Sequence, residues 1–163
     1  MQWHRFAIFI LIVAIVQAGL INVVAVTDLN IKPDLFLIFL VFFAVYYNTS
    51  EAIIISFTIG FAADIASSSI MGTQIISFGL LGTLLAYLNR VIAIRKMPYQ
   101  SAVIFITGLL SGLLVICLTK VIRKPPAPDI FKLFFWTSLY SALVGPFLFL
   151  PSAWWMRIKK HKA

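Results

Sequence analysis

Acid–base, nucleophilic or metal chemistry needs titratable side chains that converge, and this sequence offers few to converge. Its five acids are Asp28, Asp34, Glu51, Asp64 and Asp129. Four of them fall in expected loops or at expected helix starts. Asp64 alone ends an apolar run, in IGFAADIASSSIMGTQ, residues 59–74. His4 and His161 lie at opposite ends of the chain, with no neighbour at metal-ligand spacing. Ser67, Ser68 and Ser69 have no base beside them in sequence. No phosphate loop, nucleophile motif or carboxylate pair stands out. The single cysteine, Cys117, rules out a disulfide framework and is expected to be a small buried hydrophobe. The chemistry points away from an enzyme and calls for no metal or cofactor.

The elements that must position these few groups are apolar. Of 163 residues, 62% are hydrophobic and 11% charged, with a mean hydropathy of +1.04. Soluble domains average about 45–50% apolar and about 25% charged residues, so this chain could not cover itself in water. It reads as a single all-α integral membrane domain, 1–163. Six spans of about twenty apolar residues are expected at about 6–26, 32–48, 51–70, 72–90, 99–121 and 130–156. The first, too long for a cleavable signal segment, is expected to be retained. Pro33 suits the first turn of the second span, and Asp34 complements its positive end. Asn48-Thr49-Ser50-Glu51 forms a polar turn with capping chemistry. The prolines of IRKPPAPD, 122–129, break the chain before the last span.

Charge sets the orientation. With the N-terminus inside, Arg5, Arg90, Arg95, Lys96, Arg157, Lys159, Lys160 and Lys162 face the cytoplasm. Lys32, Lys120, Arg123, Lys124 and Lys132 then face out. The excess favours N-in and C-in. Trp3, Tyr46, Tyr47, Tyr87, Trp154 and Trp155 fall near the same ends, as an aromatic belt would. The basic tail suits anionic lipid; it lacks the interleaved motif that nucleic acid would require.

Asp64 lies about 20 Å along its helix from Glu51 at 1.5 Å per residue, beyond the bilayer midplane but short of the far surface. There it is expected to be capped by Ser67–Ser69 hydroxyls and backbone amides, pinning the turn before Gly72. A sharper expectation is a polar cluster with Asn22, Thr73 and Gln74 that holds the junction for a partner helix. Ala14 with Ala18, and Gly108 with Gly112, form small-xxx-small pairs where helices approach closely; Gly79 and Gly82 notch the fourth span.

Residues 32–90 resemble the bacterial rod shape-determining MreD family. The resemblance rests on the Pro33-Asp34-Leu35 opening, the turn ending in Glu51, and Gly60-x-x-x-Asp64. The small-polar run with Gly72 and the notched helix ending in Asn89-Arg90 complete it. It implies a non-catalytic, multi-pass inner-membrane scaffold of the cell-elongation complex, supporting peptidoglycan synthesis. Its partner would be an MreC-like single-span protein, and through it RodA, a class B penicillin-binding protein and MreB filaments. The resemblance also implies the helical fold of the S-components of energy-coupling-factor transporters. A vitamin-binding S-component is therefore the rival reading, and the Ala14–Ala18 pair would suit its docking. Gln17, Asn22, Gln74 and Asp64 are nearly all the polar groups it could use, fewer than an oriented ligand normally requires.

Overall fold

The computed structural model describes residues 3–23, 33–67, 70–91, 97–122 and 128–155. Among them are six α-helices and no strand: α1 Trp3–Val23, α2 Leu35–Tyr46, α3 Thr49–Ala66, α4 Thr73–Val91, α5 Met97–Val121 and α6 Ile130–Trp155. Four of these, α3 to α6, are long and apolar enough to cross a membrane. The helix α2 is shorter than the expected 32–48. Its 12 residues rise only about 18 Å, against a hydrocarbon core of about 30 Å.

That short helix is the centre of the molecule. LFLIFLVFFAVY has no polar residue on any face except its terminal tyrosine, and every residue from Leu35 to Val45 is buried. A helix apolar all round has no face to give to water. The other five surround it, with the most extensive packing between α3 and α4 and between α5 and α6. Aromatic side chains join α2 to its neighbours edge to face: Phe9 to Phe39 at 4.7 Å, Phe6 to Phe43 at 5.2 Å and Phe149 to Phe42 at 5.3 Å.

Lipid is as apolar as leucine, so burial in a bilayer does not by itself hold helices together; close packing and polar links must. The glycines supply the first. A Cβ on Gly82 would run into Ser56 of α3 and come within 3.1 Å of Leu40 of α2, and one on Gly79 would meet the ring of Phe57. Gly108 faces Ser138, and Gly112 faces Phe134, both on α6. These two glycines therefore lie inside the α5–α6 contact.

Two sequence expectations change here. Cys117 is exposed, on the outer face of α5, rather than a buried hydrophobe. In a lipid-facing bundle the outer surface is as apolar as the core, so an apolar run does not tell which way a cysteine turns. Tyr46 points inward: its ring lies 5.0 Å from Phe42 and its hydroxyl accepts a hydrogen bond from Gln100 Nε2 at 3.1 Å. It is not part of an outward-facing belt. Of the proline loop expected at 122–129, residues 123–127 lie outside the described residues, as do the basic residues Lys32, Arg95, Lys96 and 157–162.

Candidate functional site

Two groups of polar residues stand where helices begin and end. At the end of α3, Asp64 is 3% exposed, and its carboxylate reaches across to the start of α4. Oδ2 accepts from the backbone N–H of Gly72 at 2.9 Å and of Ile75 at 3.1 Å, and Oδ1 accepts from that of Gln74 at 3.1 Å. The first N–H groups of a helix have no partner within it, and its dipole puts partial positive charge there. Asp64 satisfies both needs, as a cap supplied from the preceding helix. Gly72 sits at the capping position of α4 with φ +99°, a left-handed conformation open to glycine. Beside it, Thr73 Oγ1 donates to Ile70 O at 2.9 Å.

Gly60, one turn before Asp64 on the same face, makes that reach possible. A Cβ there would lie 2.8 Å from Ile75 Cα and 2.9 Å from Gln74 O. The two helix backbones touch at this point, and the touch sets the carboxylate against the α4 amides. Gly60, Asp64 and Gly72 thus form one device. Of the expected cap, the backbone amides of Gly72, Gln74 and Ile75 are in place, and Ser67 ends α3 by donating its own N–H to Ala63 O at 2.9 Å. Ser68 and Ser69 lie outside the described residues, and so does the side chain of Asn22.

The buried α2 is clasped at both ends. Asp34 stands at its N-cap, accepting from Leu37 N–H at 3.2 Å, and Pro33 precedes the cap rather than occupying the first turn. The Asp34 N–H donates to Ser141 Oγ of α6 at 2.9 Å. Gln17 of α1 accepts from Leu35 N–H at 3.1 Å, while its Nε2 donates to Pro33 O at 3.5 Å. At the other end, Asn89 of α4 donates to Val45 O at 2.7 Å, and Arg90 Nε donates to Thr49 Oγ1 at 2.7 Å. Asn48 caps α3 by backbone position alone, without a side-chain bond. Next to this clasp, burial first and the Glu51 charge second push the Tyr47 hydroxyl above the ordinary phenol range.

The residues singled out in the sequence therefore fall in separate places. Pro33 and Asp34 join one clasp, and Gly60, Asp64 and Gly72 the hairpin lock. Ala14 and Ala18 line a groove of about 810 Å³ between α1 and α3, with Ala62 and Ala66 opposite. Ser141 was not singled out in the sequence, although Ser138, Ser141 and Gly145 recur at helical spacing on the buried face of α6 and could have marked it. Replacing Asn89 by leucine leaves a buried helix-end carbonyl unpaired. We expect it to cost about 1–3 kcal/mol, seen as a lowered thermal midpoint of the detergent-solubilised protein.

The arrangement defines a multi-pass helical membrane protein in which Gln17, Asp34, Asp64, Asn89, Arg90 and Ser141 join helices. Among the described residues no group of three or more His, Cys, Asp or Glu gathers to hold a metal. The sequence matches the family described as rod shape-determining protein MreD over residues 1–159, and the chain belongs to that family. Its role is accordingly in rod shape determination, in a membrane family with no known catalytic role. No curated protein and no solved structure matches the chain.

Proposed function

We propose that this protein is a non-catalytic scaffold of the cell-elongation complex in the cytoplasmic membrane, holding an MreC-like single-span partner in fixed orientation. The observation that carries the reading is the Asp64 lock: a buried carboxylate committed to three backbone amides of the next helix. Such a carboxylate serves position, and it makes the α3–α4 hairpin a rigid surface. The chain crosses the membrane six times, N-in and C-in, with α2 as a short buried span shielded by its neighbours. Its partner helix approaches the α1–α3 groove, where Ala14, Ala18, Ala62 and Ala66 let backbones come close. RodA, the class B penicillin-binding protein and MreB filaments are reached through that partner, and anionic lipid registers the basic cytoplasmic face.

Affinity capture of the tagged protein from its native membrane, read by mass spectrometry, tests this. The expected result is a single-span protein with a large external domain as the leading companion. A small vitamin retained in stoichiometric amount, with no such companion, would contradict it.

A further inference from the structure

The helices around α2 form an incomplete ring. Contacts run from α1 to α3, α3 to α4, α4 to α5 and α5 to α6, whereas among the described residues the backbones of α6 and α1 nowhere approach within 8 Å. Between them lies a cleft of about 570 Å³. Its floor is α2 itself, through Leu35 and Phe39, and its walls include Val16, Val144 and Leu148.

We propose that this cleft binds an anionic phospholipid, with one acyl chain lying on α2 and the phosphate at Arg5. Size supports a chain: at about 30 Å³ per methylene, close to the volume share of a water molecule, sixteen carbons need about 480 Å³. The walls are bulky rather than small, with Phe9, Tyr140, Trp154 and Trp155 among them. They would hold a partner helix's backbone away, whereas a flexible chain threads between them.

Charge completes the site. One turn before the lining residue Phe9, the Arg5 guanidinium donates to the backbone O of the lining residue Trp155 at 3.5 Å, across the gap from α1 to α6. A guanidinium has five N–H donors, so this one bond leaves capacity for a phosphate. Neither α1 nor α6 contains an acid to compete for it. Trp154 and Trp155 stand where indoles sit at head-group level.

The test uses the full chain in phosphatidylcholine vesicles containing a minor share of phosphatidylglycerol brominated on its acyl chains, read by tryptophan quenching. Brominated phosphatidylcholine at the same share is the comparison. The anionic lipid is expected to bind about fivefold more strongly, the size of one cation's effect near a charged surface. Arg5→Gln should bring the ratio to about one, and Arg5→Lys should keep it. Val144→Phe should weaken quenching by both lipids, because it fills the cleft. Equal quenching by the two lipids in the unmutated protein would overturn the proposal. So would an unchanged result for Val144→Phe, which means boundary lipid only. Loss of the membrane companion on affinity capture of Val144→Phe, with its quenching by both lipids unchanged, would also overturn it, by making the cleft a protein surface.

Discussion

Asp64→Leu is expected to lower stability by about 3–5 kcal/mol, the range for removing one partner from a buried charged arrangement. In a chain of this length that corresponds to a thermal midpoint lower by roughly 10 °C. Three partly buried N–H groups lose their acceptor at once, and the start of α4 loses the negative charge that complements its dipole. Asp64→Asn keeps one acceptor oxygen and should cost about half as much, since its amide group meets the remaining donors with a donor of its own. Helicity followed through thermal unfolding in detergent separates the two variants. Equal midpoints for the leucine variant and the unmutated protein would show that the carboxylate does not hold the hairpin.

Gly60→Ala is the second large effect, and its sign is the informative part. Alanine favours a helix over glycine by up to about 1 kcal/mol, so the change in isolation would stabilise α3. The new methyl, however, would stand 2.8 Å from Ile75 Cα and 2.9 Å from Gln74 O. Both are backbone atoms and cannot swing aside. The helices must separate, which lengthens the Asp64 bonds one turn away. Overpacking of this kind costs about 1–3 kcal/mol, so we expect net destabilisation, read as a lower thermal midpoint. A midpoint at or above that of the unmutated protein would mean that α3 and α4 do not touch there. Gly60→Ala combined with Asp64→Asn should cost less than the sum of the two, because each loosens the same contact.

Much of this architecture could be read from residue order. The outer helices fall within a few residues of where their apolar runs put them, because polar turns and prolines bound those runs. α2 is shorter than its run: Asp34 caps it from outside and Tyr47 leaves helical conformation, with φ −110° and ψ 164°. Its central burial had a signal, the absence of any polar face in LFLIFLVFFAVY, but hydropathy alone reads that segment as one more span. Asp64 stood out as a junction residue because an acid in an apolar run is costly unless something serves it. Its partners were harder to name. They are backbone amides, which every residue carries, and only the close approach at Gly60 selects which amides come within reach. Cys117 shows the same limit from the side-chain direction, since nothing in an apolar run tells which way a cysteine turns.

The Asp64 lock joins α3 to α4, and we propose that it thereby holds the surface on which a partner docks. Its most direct test is the yield of the MreC-like companion captured with Asp64→Asn and Asp64→Leu, at matched amounts of protein in the membrane. The asparagine variant should retain the companion, and the leucine variant should lose it. If the leucine variant captures the companion at the unmutated yield, the lock between α3 and α4 has no part in assembly.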